Sequence, residues 1–355
     1  MRQSIIVICA IVGAAGLVVG CDTGDRDGEE PTATAEQVQE PAQESVEDLM
    51  ARANRLFEPI PESVTDVNDQ KVELGRALYH DKGLSADGTV SCATCHVISE
   101  GGGDNLPTST GIKDQVGPIH SPTVLNARYH FVQFWDGRAA TLEEQALGPV
   151  EDPLEMGNQW EEVVGYLAGE PHYAEAFEEL YDGEISKENA AHAIAEFERT
   201  LITPNAPFDQ FLRGDADALD EQELAGLQAF MDNGCTACHG GKILSSDRYQ
   251  KLGLVHDYFE DRGTELTDAD LGRYNVTGEE SDKHFFKVPT LRNVELTHPY
   301  YHDGQVETLE EAVWSMGWHQ LGRDLDDATV DDIVAFLHAL TGEIPDVSTE
   351  PVPRF

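Results

Sequence analysis

The sequence predicts an all-α fold made of two tandem domains of similar design. Several segments repeat apolar residues every three or four positions, and sustained alternation of apolar and polar residues is almost absent. One stretch of the chain also recurs further along it. With 355 residues and 40% hydrophobic content, the chain is long enough for two modest domains with real cores.

The helices are predicted in order from this periodicity and from start and stop signals. Ser45 and Asp48 form a start signal for the first helix, and the T-P-N-A-P run at 203–207 interrupts the chain near its middle. Gly342 ends the last helix. The predicted helices cover 45–57, about 69–80, 159–181, 187–201, 220–232 and 328–341.

The N-terminus is predicted to be an export signal followed by a tether. Residues 1–21 combine one positive charge, an apolar run and small residues, as in a signal peptide. They end in V-V-G-C, which resembles a bacterial lipoprotein cleavage box that makes Cys21 the lipidated first residue. Ordinary cleavage nearby, or an uncleaved anchor, is the alternative. Segment 22–48 holds ten acidic residues and one arginine, and it is predicted to be an acidic flexible tether.

The charge balance excludes some partners. The chain has 23 Lys+Arg against 67 Asp+Glu, a formal net charge of −44. Such a surface repels nucleic acid and anionic lipid headgroups, so no nucleic-acid partner is expected, and membrane contact is expected only through the lipid anchor. Two explanations of this charge stay open: attraction of cationic partners, or adaptation to a salty habitat.

Four of the six cysteines form two C-x-x-C-H motifs, and the other two lie in the predicted signal peptide. This motif is the attachment signature of a c-type haem, with two cysteines for the thioethers and the histidine for the iron. A zinc knuckle would need further ligands. Two copies with no other cysteine, behind an export signal, predict two covalently bound haem c groups. Their ligands are Cys92, Cys95 and His96 in the first motif, and Cys235, Cys238 and His239 in the second.

The internal repeat sets the domain organisation. Residues 122–144 and 289–311 lie 167 positions apart and share P-T, an asparagine, D-G and T-L-E-E. Each copy follows one haem motif, so the chain is predicted to be a duplicated cytochrome c with a boundary near residue 205. The predicted segments are an N-terminal domain at 49–204, a C-terminal domain at 205–342 and a tail at 343–355.

The repeat also compares the two iron sites. In the second copy T-L-E-E leads to Met316, whereas the equivalent position of the first copy is Pro149, which cannot ligate iron. Met231 is too close to its own motif and Met50 lies before the first domain. Met316 is therefore predicted as the axial ligand of the second haem, and a packed core methionine is the alternative. The first haem has either another ligand or an open site.

The first repeat carries polar and aromatic groups that the second lacks, namely Gln145, Glu155 and Trp135. Glu155 follows just beyond the missing methionine. A carboxylate above an open haem iron can move a proton between the two oxygens of a peroxide, and an amide can orient the bound oxygen.

Longer motifs resemble the bacterial dihaem cytochrome c peroxidases over nearly all of residues 48–345. The resemblance implies two all-α domains with one haem each, and reduction of hydrogen peroxide to water. The first half carries it in ELGRALYHDKGLS, SCATCH, GGGDNLPTSTG, SPTVLNA and QFWDGRAATLEEQALGPVEDPLEMG, and the second half in GLQAFMDNGCTACH and PTLRNVELTHPYYHDGQV.

The resemblance implies a role for each haem. The C-terminal haem, with His239 and Met316, would be the high-potential entry for electrons, and the N-terminal haem on His96 would be the peroxidatic one. Family positions for the catalytic glutamate and its neighbouring glutamine match Glu155 and Gln145. In the family, a tryptophan between the haems helps to pass electrons, and its position matches Trp135.

The chain departs from the family pattern at two positions. Many members carry a histidine that caps the oxidised peroxidatic iron, and here that position is Ile112. His120 is a substitute ligand or, as we expect, a surface or structural residue. It also replaces a frequent asparagine ligand of an interdomain calcium ion, for which histidine is a poor choice. The other calcium contacts of the family are main-chain oxygens that match Thr297 and Pro299.

The resemblance also implies partners and alternatives. The expected electron donor is a monohaem cytochrome c or a cupredoxin, the expected assembly is a homodimer, and the expected location is the periplasm, on a membrane through Cys21. One alternative is a dihaem electron carrier or redox sensor without catalysis, which needs a strong sixth ligand at the first haem. Another is a MauG-like oxidase with a tyrosine ligand, against which Met316 argues, although Tyr300 and Tyr301 keep it open.

Overall fold

Helices account for most of the regular structure in the computed structural model, which describes residues 44–347. The predictions for the signal peptide, for Cys21 and for most of the tether lie outside this range. The helices are α1 (Val46–Ala53), α2 (Asp69–His80), α3 (Cys92–Cys95), α4 (Leu142–Glu151), α5 (Trp160–Gly169), α6 (Pro171–Tyr181), α7 (Lys187–Glu198), α8 (Pro207–Leu212), α9 (Glu221–Asp232), α10 (Tyr258–Arg262), α11 (Tyr274–Thr277), α12 (Leu309–Leu321) and α13 (Asp327–His338). None of them is both long and apolar enough to cross a membrane.

The predicted helix starts agree with the structure to within one residue. Three helices end three or four residues before the predicted position, α1 at Ala53, α7 at Glu198 and α13 at His338, so Gly342 does not end the last helix. One further segment differs. The hydroxyl of Ser45 accepts the first-turn N–H of Asp48 at 3.1 Å, which starts α1. The segment predicted as one helix over 159–181 is two helices. Glu170 has an extended backbone because it precedes Pro171, and the proline then occupies the first turn of α6.

A small antiparallel sheet is the one exception to the predicted helical class within residues 44–347. Strands β1 (Tyr249–Lys251) and β2 (Phe285–Lys287) pair with Tyr249 opposite Lys287. Three residues are too few to show an alternating pattern, which explains why sequence reasoning missed them.

Two helix pairs form the centres of two separate cores, one in each half of the chain. In the first half α2 crosses α7, and in the second half α9 crosses α13. A Cβ atom on Gly75 would lie 1.8 Å from the carbonyl oxygen of Ala193, and one on Gly226 would lie 1.8 Å from that of Asp332. Both crossings therefore depend on glycine for close backbone approach.

The two ends of the described chain pack against the opposite halves. Helix α1, which the sequence places at the start of the first domain, buries Leu49 and Ala53 in the core of the second half. Ile344 and Val347 pack against a cluster of the first half that includes Tyr79. An amphipathic pattern shows that a helix has a buried face, but it does not show which core covers that face.

The repeated asparagines meet at one residue between the halves. Asn126 and Asn293 both have left-handed backbone angles, with φ of 61° and 60°. Their side-chain amides donate to the same hydroxyl, that of Thr203, at 2.8 and 3.0 Å. The sequence repeat thus corresponds to a repeated local structure on both sides of the 203–207 segment.

Candidate active site

The first C-x-x-C-H motif forms the single turn α3 and the residue after it. The Nδ1 atom of His96 lies 3.3 Å from the carbonyl oxygen of Gly102, so Nδ1 carries the proton and donates. This contact leaves Nε2 as the nitrogen that can bind iron. The carbonyl of His96 accepts a hydrogen bond from the hydroxyl of Tyr79 at 2.8 Å, which anchors the motif to α2.

The second motif has the same arrangement. The Nδ1 atom of His239 donates to the carbonyl oxygen of Leu244 at 2.9 Å, which again leaves Nε2 available. The four cysteines of the two motifs are free thiols, so their sulfurs are available for thioether bonds. Each motif therefore presents two sulfurs and one oriented imidazole, which is the donor set that a covalent haem c requires.

Buried polar atoms without protein partners also fit a bound group near the motifs. Within residues 44–347, the Nε2 atom of His80 and the hydroxyl of Ser246 are buried without a hydrogen-bond partner. Ser246 also donates its backbone N–H to the carbonyl of Cys238 at 2.9 Å, which places it beside the second motif. Such atoms are rare in folded proteins unless a ligand or water satisfies them.

Glu155 lies within electrostatic reach of the first motif. Burial raises the pKa of both thiols, Cys92 and Cys95, and the charge of the Glu155 carboxyl group adds a smaller rise through space. Burial and the nearby Asp152 raise the pKa of Glu155 itself, Arg138 lowers it, and the net pKa is about 7. A carboxyl group that is half protonated near neutral pH can both accept and donate a proton.

Gln145 lies on the same helix as Pro149, one turn earlier. Pro149 has no backbone N–H, so the helical hydrogen bond to the carbonyl of Gln145 cannot form. Helix α4 ends two residues after Pro149, at Glu151. The equivalent helix α12 continues for 13 residues and includes Met316. The Gln145 amide makes no hydrogen bond to another residue of the described chain, so it is available to a ligand.

Ile112 supports the segment that carries Glu155. Its side chain is 2% exposed and belongs to the core of the first half with Met156. Its backbone N–H donates to the carbonyl of Glu155 at 2.9 Å. The residue that replaces the family's histidine therefore packs into the protein and holds the glutamate segment in place.

Met316 is partly buried on α12. It packs against an aromatic cluster that includes Tyr258, Phe259 and Phe286. Its role as an iron ligand stays a prediction.

Trp135 connects the two halves. Its ring meets that of His302 edge to face, with centroids 6.5 Å apart. Its carbonyl accepts the N–H of Lys287 at 2.8 Å, and the carbonyl of His302 accepts the N–H of His120, also at 2.8 Å. The indole Nε1 atom of Trp135 donates to the carbonyl of His120 at 2.9 Å. Sequence reasoning overlooked His302, although the offset of 167 makes it the equivalent of Trp135.

His120 is held by the protein at several atoms. It is 5% exposed, and its Nδ1 atom donates to the carbonyl of Leu106 at 2.8 Å. Thr297 and Pro299 follow a short helical turn at Val294–Leu296 and lie on either side of His298. Burial lowers the pKa of His120, and the charge of His298 lowers it further. The calcium site at Thr297 and Pro299 stays a prediction.

A buried charge network behind His302 was also overlooked. Asp270 accepts hydrogen bonds from the Nε2 atom of His302 and from Arg262, both at 2.8 Å, and Arg262 binds Asp303 as well at 2.6 Å. Burial raises the pKa of Asp270, but the bonds from His302 and Arg262 hold it well below its usual range. Ligand atoms of Asp270, His302 and Asp303 lie within 4.8 Å of one another, and the guanidinium group supplies the positive charge there.

Known proteins resemble this chain over most of its length. A sequence model of the di-haem cytochrome c peroxidases matches residues 69–217. The cytochrome c551 peroxidase of Pseudomonas aeruginosa is 45% identical over 321 residues, which cover 86% of this chain and 92% of that protein. The chain belongs to the di-haem cytochrome c peroxidase family. The predicted resemblance is confirmed, and with it an oxidoreductase that acts on hydrogen peroxide.

Other relatives agree with this family. The cytochrome c551 peroxidase of Nitrosomonas europaea is 45% identical, with coverage of 85% of this chain and 88% of that protein. Cytochrome c peroxidase Ccp of Escherichia coli is 52% identical over 81% of this chain, which spans 62% of that longer protein. The MauG protein of Methylorubrum extorquens is more distant, at 33% identity.

Solved structures support the fold. A MauG-like protein associated with microbial copper homeostasis has a TM-score of 0.73 and 27% identity, with coverage of 82% of this chain and 98% of that one. The diheme peroxidase BthA of Burkholderia thailandensis has a TM-score of 0.66 at 20% identity, over 84% of this chain and 93% of that one. Membership of the di-haem cytochrome c peroxidase family implies two haem c groups, and the two motifs supply their attachment residues.

Proposed function

We propose that the site at His96 reduces hydrogen peroxide and that the site at His239 and Met316 receives the electrons. The observation that carries this assignment is Glu155, a partly buried carboxyl group within electrostatic reach of the first motif, with a pKa of about 7. Within the part of the chain covered by the structure, the position in the second repeat that corresponds to Glu155 is Gly322, which has no side chain to titrate.

The residues of the first site would act on the protons of the peroxide. A haem bound at His96 would supply the electrons for reduction of the O–O bond, and the overall balance is one peroxide, two electrons and two protons to two waters. Glu155 accepts a proton from one peroxide oxygen and returns it to the other, which then leaves as water. Gln145 orients the peroxide through its free amide. Burial around Glu155 keeps bulk water from competing for that proton.

Electrons would enter through the second half and cross at Trp135 and His302. These two rings bridge the halves, and the hydrogen bonds to Trp135 hold its indole in one orientation. The net charge of −44 favours a donor with a cationic face, such as a monohaem cytochrome c or a cupredoxin.

The first iron would be open to peroxide in the fully oxidised protein. Ile112 cannot ligate iron, because its side chain is aliphatic and packs in the core of the first half. The reductive switch that the family's histidine provides would then be absent.

The wider organisation is part of the same proposal. The two halves would be cytochrome c domains, predicted at 49–204 and 205–342, with α1 packed on the second of them. The chain would be periplasmic and lipid-anchored through Cys21, with a calcium ion at Thr297 and Pro299 and assembly as a homodimer.

Substitution of Glu155 by Gln tests the proposal. The variant keeps the shape of the side chain but cannot accept a proton, so we expect both haem spectra to be unchanged and peroxide turnover to fall at least 100-fold, the scale of a lost general base. Glu151→Gln, at the exposed end of α4, is the matched control and should retain full turnover. Wild-type activity in Glu155→Gln would show that the catalytic assignment is wrong.

A further inference from the structure

We propose that Lys287 and His130 form a carboxylate-binding site that holds a propionate of the C-terminal haem. The site combines one residue from each half and lies beside Trp135. It rests on the haem assignment made above but not on the peroxidase mechanism. Neither residue was singled out by the sequence motifs.

Lys287 is a buried cation without an anionic partner. The residue is 6% exposed, and its side chain makes no hydrogen bond or ion pair with any other residue among 44–347. Burial alone lowers the pKa of its ammonium group to about 7. Buried lysines are rare unless an anion compensates the charge, and the described chain supplies none here.

His130 supplies a second unsatisfied group near Lys287. Its Nδ1 atom is buried and has no hydrogen-bond partner within the described range. Burial lowers the pKa of His130 well below its usual value, and the charge of Lys287 lowers it further, so the two side chains lie within electrostatic reach. An anion between them would satisfy both groups with charge-assisted hydrogen bonds.

The backbone around Lys287 is tied to the second haem motif. The next residue, Val288, accepts the hydroxyl of Ser245 at 2.6 Å through its carbonyl. Ser245 directly follows Leu244, whose carbonyl orients His239. The lysine is therefore assigned to the haem on His239.

Comparison of the two repeats shows that the lysine at position 287 has no lysine counterpart in the first half. The position equivalent to Lys287 in the first half is His120, whose ring already bonds Leu106. A haem c carries two propionates, which are carboxylates with no thioether or iron bond to hold them. The haem attached by the second motif therefore carries the carboxylates that Lys287 and His130 would bind.

The proposal predicts an effect on reduction potential. A cation beside a propionate compensates negative charge near the iron and so favours the reduced state. Lys287→Gln should lower the midpoint potential of the C-terminal haem and leave that of the N-terminal haem in place. Lys287→Arg, which keeps the charge, should retain most of the potential.

The test uses the haem-loaded protein and two measurements that do not involve peroxide. Spectroelectrochemical titration measures each midpoint potential, and resonance Raman spectroscopy measures the propionate bending band. The matched control is Lys283→Gln, since that side chain is 36% exposed and pairs with Glu280 on the surface. The control should change neither measurement.

His130→Asn provides a second test if Lys287→Gln is not matured, and it should shift the same Raman band. An unchanged potential and band in Lys287→Gln, an unchanged band in His130→Asn, or a shift confined to the N-terminal haem would overturn the proposal. A shift relieved by added phosphate would also overturn it, because it would identify a free anion at the site. Loss of turnover in Glu155→Gln is independent of these outcomes, so the two proposals fail separately.

Discussion

Trp135 and His302 occupy equivalent positions of the internal repeat, and their rings meet edge to face with centroids 6.5 Å apart. Their carbonyls accept equivalent hydrogen bonds, from Lys287 and His120 respectively, each 2.8 Å long. The two halves therefore contact each other through the same pair of positions. This contact brings one conjugated ring from each half together.

We expect Trp135→Phe to slow electron transfer between the haems while both haem spectra stay unchanged. Phenylalanine keeps an aromatic ring against His302 but loses the hydrogen bond from Nε1 to His120. Stopped-flow reduction of the protein, followed at each haem, measures this rate. Trp314→Phe is the control, since Trp314 is 41% exposed on α12. Equal rates in both variants would remove Trp135 from the path.

Peroxide turnover should rise with pH through about 7, because Glu155 must be deprotonated to accept the first proton and burial raises its pKa to about 7. The profile of kcat/KM for peroxide against pH measures this in the free enzyme. Arg138→Gln should move the inflection to higher pH, because Arg138 lowers the pKa of Glu155. An inflection that does not respond to Arg138 would belong to another group.

The oxidised protein should show a high-spin component in its electron paramagnetic resonance spectrum and react with peroxide before any reduction. The reason is that Ile112 is a packed core residue and cannot cap the iron. His120→Phe tests the remaining histidine, because the Nδ1 bond to Leu106 leaves Nε2 of that ring able to bind iron. We expect the spectrum to stay unchanged. A wholly low-spin spectrum that becomes high-spin in His120→Phe would identify His120 as the sixth ligand.

Met316→Ala should abolish the low-spin, high-potential signal of the second haem by removing its sulfur ligand. Met231→Ala is the control, because Met231 lies buried in the core of the same half. That variant should keep the signal and lose about 2–5 kcal/mol of stability from the cavity. Potentiometric titration and thermal unfolding separate the two effects, and an intact signal in Met316→Ala would make Met316 a packing residue.

Gly75→Ala should destabilise the protein by about 1–3 kcal/mol or more, because the new methyl group would lie 1.8 Å from the carbonyl of Ala193. Gly165→Ala is the matched control on α5, where a Cβ atom has no neighbour within 4 Å. That change should stabilise the helix by about 0.5–1 kcal/mol. Denaturant unfolding of both variants measures the difference, and a neutral Gly75→Ala would mean that the crossing of α2 and α7 can widen.

Local features were predictable because short stretches of chain encode them. The bounds of α2 follow from periodicity, and Pro149 in place of a methionine follows from comparison of the two repeats. The break at Pro171 was readable in principle, since proline disfavours helix in the residue before it. The three-residue strands left no comparable signal.

The sequence by itself determined the helical class, the two haem attachment sites, the duplication and the difference between Met316 and Pro149, because each depends on residue type and spacing along the chain. Only the tertiary structure decided which side chains meet across the halves. The pairing of Trp135 with His302, the burial of Lys287 and the raised pKa of Glu155 all depend on segments distant in sequence. Burial and through-space charge are properties of the packed chain, and no local pattern specifies them.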